Sequence, residues 1–425
     1  MADSDDLASG KPAALGADDA AFGDVLATRR PVWDSRGIVR AYDIVADNSD
    51  HDTVSPTGRD ELARRTIHVI ASVTGPFVIG PGTSLFVRVT LDTLGRRHYL
   101  ALPKDRVVLI VDASSSICEL VKECAEANLR GYSIALEADQ WEQGAAIQRS
   151  AAYVRASSFD TLPGIVHHAH VSGQRVVALG VHDRSRWDLA NRAGCDLCAG
   201  DALCIADIDE AREVRGFELV FMNLLAELAE PVLDRKAVAS VIESDLALAH
   251  GLLRRVNAAA SGVRQRVSSI PQALALLGDE QARAWGCLIA MSGLKGPNPA
   301  ELVTASLVRA RFSFRLAGMC GLADRACEAY MVGLLSMLDA ILGIPMERAL
   351  DEIGISGDAR VALLGDQTGA LGQLLTLSHA CEKGAWSTVQ GARSKLGLAQ
   401  RTIAREYYEA LAWVQRLLQQ SNDQG

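Results

Sequence analysis

Five short apolar runs constrain the fold most: LFVRVT (85–90), VVLIVDA (107–113), GYSIALE (131–137), AAYVRAS (151–157) and RVVALGV (175–181). They are rich in β-branched residues, and amphipathic segments separate several of them. That order predicts βα units wound around a parallel sheet. A TIM-like barrel, incomplete at this length, is its natural closed form. Ahead of the runs, PVWD and IVRAYDIVA predict a hairpin turning at Asp34–Gly37. DNSDHDTVSPTGRD is polar and full of turn formers, so it is read as a loop. A helical period follows from Glu61 to Ser72.

After about residue 207 the strand-like runs stop. FELVFMNLLAELAE begins a series of helical segments that continues to AREYYEALAWVQRLLQQ. Ser269 with Pro271 suits a helix start, and Gly278 and Gly343 suit helix ends. The chain therefore divides into an acidic tail (1–24), an α/β part (25–206) and an all-α part (207–425). The tail carries Asp3, Asp5, Asp6, Asp18, Asp19 and Asp24 with little apolar surface, and is expected to be disordered.

A chain of 425 residues is long enough for two full cores. Its net charge of −9 argues against non-specific nucleic-acid binding. No run of 18 apolar residues lacks charges and the N-terminus is not a signal peptide, so a cytoplasmic chain without membrane insertion is expected. The nine cysteines are scattered and odd in number, which suits reduced thiols rather than a disulfide framework. Cys195, Cys198 and Cys204 cluster, but no second CxxC completes a zinc site. His167, His168 and His170 would be split across the faces of any strand or helix and are read as solvated or capping.

Arg40–Val45 (RAYDIV), Leu129–Asp139 (LRGYSIALEAD) and Arg175–Asp183 (RVVALGVHD) together resemble the landmarks of an EAL domain, the fold that hydrolyses bacterial cyclic di-GMP. The resemblance implies two divalent metals held by oxygen ligands at the carboxyl ends of barrel strands. Matched landmark by landmark, the signature glutamate falls at Asp43 and the nucleotide-gripping arginine at Asp47. The metal-ligand positions fall at Arg88, Leu109, Glu137, Ala138, Leu179 and His182. The lysine position falls at Arg155, the aspartate after it at Ser157, and the late Gln-Gly element at Ala199-Gly200. Leucine and alanine cannot ligate a hard cation, and arginine would repel one. The expectation is a chain that is not an enzyme, with neither metal nor other cofactor. Arg88 and Arg155 are expected to pair with Asp43 and Glu137, guanidinium standing in for metal as counter-ion. The alternative is that both arginines point to solvent.

The helical part resembles the HDOD domain, a relative of HD-type phosphohydrolases without their metal dyad. The resemblance rests on Leu252-Leu253-Arg254 with Asn257, on the SSIPQALALLG segment, and on Tyr330–Leu350. His250 and His379 are the only histidines there and neither is followed by Asp. The dipeptides His51-Asp52 and His182-Asp183 lie in the α/β part. Arg254, Arg255, Arg264 and Arg266 form a basic cluster that could serve as an interaction patch. Tyr407, Tyr408 and Trp413 lie at helical spacing and are read as core. The leading expectation is a bacterial signalling scaffold that contacts other signalling proteins. Two alternatives stand beside it: a metal-independent cyclic di-GMP receptor, which the aspartate at 47 weakens, and a nucleic-acid-linked regulator.

Overall fold

The computed structural model describes residues 25–46, 55–77, 82–112, 117–142, 144–230, 232–259, 267–294 and 299–422. The acidic tail, Asp47, His51, Asp52, Arg264 and Arg266 lie outside them.

Eight strands form the first half: β1 Ala27–Asp34, β2 Val39–Ala46, β3 Ser84–Thr90, β4 Val107–Asp112, β5 Ser133–Glu137, β6 Tyr153–Ala156, β7 Arg175–Ala178 and β8 Leu197–Ala199. They close into one barrel in sequence order. β1 runs antiparallel to both β2 and β8, and every other pair is parallel. The hairpin is the one read from the sequence, with Asp34 Oδ1 accepting the amides of Arg36 and Ile38 at 3.0 Å each. Where the sequence leaves the barrel incomplete, β8 completes it. At three residues (Leu-Cys-Ala) that strand is too short to give an alternating pattern.

Helices α1 Pro56–Phe77, α2 Leu91–Gly95, α3 Ile117–Leu129, α4 Ala138–Trp141, α5 Ala145–Gln148, α6 Leu162–Val171 and α7 Arg184–Ala193 pack outside the barrel. The loop expected through Asp60 is corrected for its last residues, because α1 starts at Pro56. The Ser55 hydroxyl accepts the Gly58 amide at 3.1 Å and Pro56 needs no donor there. Phe86, Val108, Ile110, Ala135, Val177 and Leu197 fill the barrel interior. The complementary strand faces form a second apolar layer under the helices.

The second half is helical: α8 Gly216–Ala229, α9 Arg235–Glu243, α10 Leu246–Ala259, α11 Ile270–Gly293, α12 Pro299–Ala317, α13 Ala326–Leu335, α14 Leu338–Leu342, α15 Met346–Ile353, α16 Gly357–Leu363, α17 Ala370–Lys383, α18 Trp386–Lys395 and α19 Gln400–Asn422. Ser269 occupies the cap position of α11, although its hydroxyl makes no capping bond. Gly278, at φ 69°, breaks α11 into two pieces, and Gly343, at φ 67°, ends α14 in the left-handed region. Both act as the stops the sequence marks. No single helix among the described residues is long and apolar enough to cross a membrane.

The apolar layer outside the barrel continues into the helical half as one core. Tyr407 and Tyr408 are 2% and 1% exposed in that core. The Tyr408 hydroxyl accepts the Ala27 amide at 2.8 Å and donates to the Val25 carbonyl at 2.9 Å. Removing it leaves two buried backbone groups unpaired. Tyr408→Phe is therefore expected to lower stability by about 1–2 kcal/mol in urea denaturation, and an unchanged midpoint would show that the clamp contributes nothing.

Candidate site at the barrel mouth

The carboxyl ends of the strands open into a cavity of about 520 Å³. Alternation decides which residues reach it. On β3, Phe86 fills the interior, so Arg88 and Thr90 face the mouth; on β6, Tyr153 and Arg155 share the inward face. Asp43, Arg88, Arg155, Leu179 and His182 all line this cavity. Glu137 reaches it through its partners. Leu109 does not: it is fully buried in the outer layer, and Ile110 is the inward residue of β4. That matching is corrected, because a one-residue offset in a strand reverses the face. Ala138 opens α4 and packs against the outer core rather than the mouth.

Arg155 is the centre of the site and is 4% exposed. Its Nη1 and Nη2 donate to Asp43 Oδ1 and Oδ2 at 3.2 and 2.9 Å, a fork-to-fork pair. Its Nε stands 3.4 Å from Glu137 Oε1 as an ion pair. Arg88 Nη2 approaches the same oxygen at 3.3 Å from a half-exposed position. The Phe86 ring lies 5.8 Å from the Arg155 guanidinium and meets Tyr153 edge-on at 5.3 Å. Burial opposes the charge on Arg155, but Asp43 and then Glu137 more than offset it and hold the guanidinium above its ordinary value. Of the two arrangements read from the sequence, the four residues adopt the paired one.

Two cations of the mouth have no counterpart in the sequence reading: Arg30 on β1, directly across from Asp43, and Arg59 on α1. The signal for Arg30 was available in the alternation of ATRRPVWD, once β1 is known to border the mouth. His182 Nδ1 stands 2.6 Å from Asp201 Oδ1 at the rim. Among the described residues Arg30, Arg59, Arg88 and Arg155 line the cavity, against Asp43, which lines it directly, and Glu137, which reaches it through Arg88 and Arg155.

This donor set does not fit a pair of divalent cations. Both carboxylates are engaged by guanidinium, and two of the expected ligand positions are Leu109 and Ala138, away from the mouth. Among the described residues no group of three His, Cys, Asp or Glu could hold a metal ion. Cys195 and Cys198 are buried, and burial pushes both thiols up to about 12. The Cys204 thiol is pushed up by the same cause. The three histidines fall on α6, where His167, His168 and His170 are exposed, and His170 Nε2 meets Asp196 Oδ2 at 2.9 Å.

In the helical half, Arg254 and Arg255 lie on α10 and Arg254 is exposed. Their expected companions Arg264 and Arg266 fall outside the described residues, so no joint patch is described. His250 is exposed on the same helix. His379 instead lines a second cavity, of about 530 Å³, between the two halves.

Residues 217–348 match the HDOD domain description. The chain is 28% identical over 340 residues to the cyclic di-GMP phosphodiesterase CdgJ of Vibrio cholerae, covering 78% of each protein. It is 25% identical over 411 residues to the uncharacterized protein YuxH of Bacillus subtilis, covering 93% of this chain and 99% of that one. An EAL domain protein of Listeria monocytogenes is similar in structure at 14% identity, with a TM-score of 0.34 over 43% of this chain and 89% of that one. The expectation that the chain is not an enzyme is corrected by the Vibrio relative, which bears a phosphodiesterase's name: the replaced ligand positions alone do not exclude activity. The chain is thus a closed eight-stranded barrel followed by a helical region in which residues 217–348 match the HDOD domain.

Proposed function

We propose that this is a cyclic di-GMP-binding signalling protein whose barrel mouth takes the dinucleotide through arginine rather than through metal. The observation that carries the reading is the lining of the mouth, where among the described residues four guanidinium groups stand against the carboxylates of Asp43 and Glu137. Two phosphodiesters carry two negative charges, and guanidinium is the side chain best matched to phosphate oxygens. A cavity of about 520 Å³ lies in the range of small-molecule sites. The Vibrio relative supports the choice of nucleotide. Arg155 stays with Asp43 and keeps the mouth in shape. Arg30, Arg59 and Arg88 meet the phosphates. Where the resemblance aligns the family's nucleotide-gripping arginine with Asp47, these three supply guanidinium from other positions.

Calorimetric titration of the full chain with cyclic di-GMP tests this, run in Mg²⁺ and again in EDTA. Saturable binding is expected in both, with affinity falling as salt rises. No heat up to high micromolar nucleotide would overturn the reading. Chromatography of the same mixtures shows whether linear dinucleotide accumulates, which would add turnover to binding.

A further inference from the structure

Two cavities meet at three residues. Arg30, His182 and Gly200 line both the barrel mouth and the cavity between the halves. The two side chains among them are each tied to the carboxyl end of α17. Arg30 Nη2 donates to the Lys383 carbonyl, the last residue of that helix. His182 is held by Asp201, whose other oxygen stands 3.7 Å from Lys383 Nζ. The end of a helix presents unpaired carbonyls and a partial negative charge, so a guanidinium is well placed against it.

The next residue shows how close the approach is. Gly384 caps α17 at φ 60°. A Cβ there would fall 2.9 Å from Arg30 Nη2 and 3.1 Å from Val45 Cγ1. Only glycine lets the chain turn left-handed and close on the arginine at once.

We propose that the carboxyl end of α17 is a positioning element for the mouth: it holds Arg30 at the lip, so that the helical half sets how tightly the barrel grips a phosphodiester. This deepens, and rests on, the reading of the mouth as the dinucleotide site. Arg30 is the residue that meets phosphate, and Lys383-Gly384 acts through it. The same geometry gives the coupling a direction. A shift of α17 away from the barrel frees Arg30 and costs the ligand one charged partner. By linkage, bound ligand resists that shift.

A double-mutant cycle on the full chain tests the proposal, reading cyclic di-GMP affinity by calorimetry. Arg30→Ala removes the phosphate partner. Gly384→Ala displaces it from the other half without altering any barrel residue. Each single change is expected to weaken binding about tenfold. The double variant is expected to bind no more weakly than Arg30→Ala alone, because Gly384 acts through Arg30. Wild-type affinity in Gly384→Ala, or losses that simply add, would overturn the proposal and leave the mouth reading intact. No binding by the unaltered chain would remove both. If Gly384→Ala does not fold, hydrogen exchange at the carboxyl end of α17 in the unaltered chain takes its place: bound cyclic di-GMP is expected to slow it, and exchange unchanged by saturating nucleotide would again overturn the proposal.

Discussion

Replacing Arg155 by alanine is expected to lower stability by about 3 kcal/mol, because it leaves Asp43 and Glu137 facing each other across a partly buried site with no cation between them. The side chains of Asp43 and Glu137 are 14% and 24% exposed, so water replaces the guanidinium only in part. Arg88→Ala is expected to cost under about 1 kcal/mol, since that side chain is 49% exposed and meets Glu137 in a 3.3 Å pair. Urea denaturation of the two variants separates them. The coupling can be measured directly: Asp43→Ala in the Arg155→Ala background removes the orphaned carboxylate and should recover at least about 1 kcal/mol. If Arg155→Ala unfolds within about 0.5 kcal/mol of wild type, the mouth is not held together by its ion pairs.

Acid should destabilise the contact between the halves through His379. Burial first, then the neighbouring Arg309 and Lys383, hold its imidazole down to about 2, against 6.5 for a free histidine. Its Nε2 is buried without a hydrogen-bond partner. The groups around the shared cavity include Glu301, Asp339, Glu382 and Asp201 as well as Arg29, Arg30 and His182. The folded chain therefore keeps His379 neutral while the unfolded chain binds a proton below about pH 6.5. Between those two values the unfolded state carries more protons, and stability falls as the pH falls. The slope approaches about 1.4 kcal/mol per pH unit, and the loss between pH 6.5 and 4.5 comes to about 2 kcal/mol. His379→Gln cannot take up that proton and should flatten this part of the profile. Equal slopes for the two proteins would show that His379 is solvated in the folded state.

What could be read from the sequence followed strand period and turn chemistry. The five runs and the hairpin appear as β1 to β7, with β1 beginning four residues before PVWD and β7 ending three residues before RVVALGV does, because β-branched runs bounded by turn formers leave few other solutions. β8 was illegible, since three residues carry no period. The pairing of Arg155 with Asp43 was legible from charge alone, once both were placed on mouth-facing positions. Leu109 shows the limit of that approach: an offset of one residue changes which layer a side chain enters. Arg30 and Arg59 were missed for a different reason. Neither stands in a landmark motif, and what brings them to the mouth is the closure of β1 into the barrel and the start of α1 at Pro56, which places Arg59 in its first turn. Glu301 was equally hidden. It accepts a 2.7 Å hydrogen bond from Tyr42, the neighbour of Asp43, and that contact spans 259 residues of chain.

The clamp at Tyr408 has a consequence for synthesis. The strand that closes the barrel on both sides is β1, and its first residues are fastened by the last helix, 381 positions later. A ribosome releases β1 well before α19, by the 381 positions that separate Ala27 from Tyr408. Until α19 arrives, the Ala27 amide and the Val25 carbonyl have no tyrosine to meet, and the barrel waits with its opening strand held only by its neighbours. Nascent chains stopped before residue 400 should therefore be cut by protease within β1 while β3 to β6 already resist. The barrel is made well ahead of the helix that secures it.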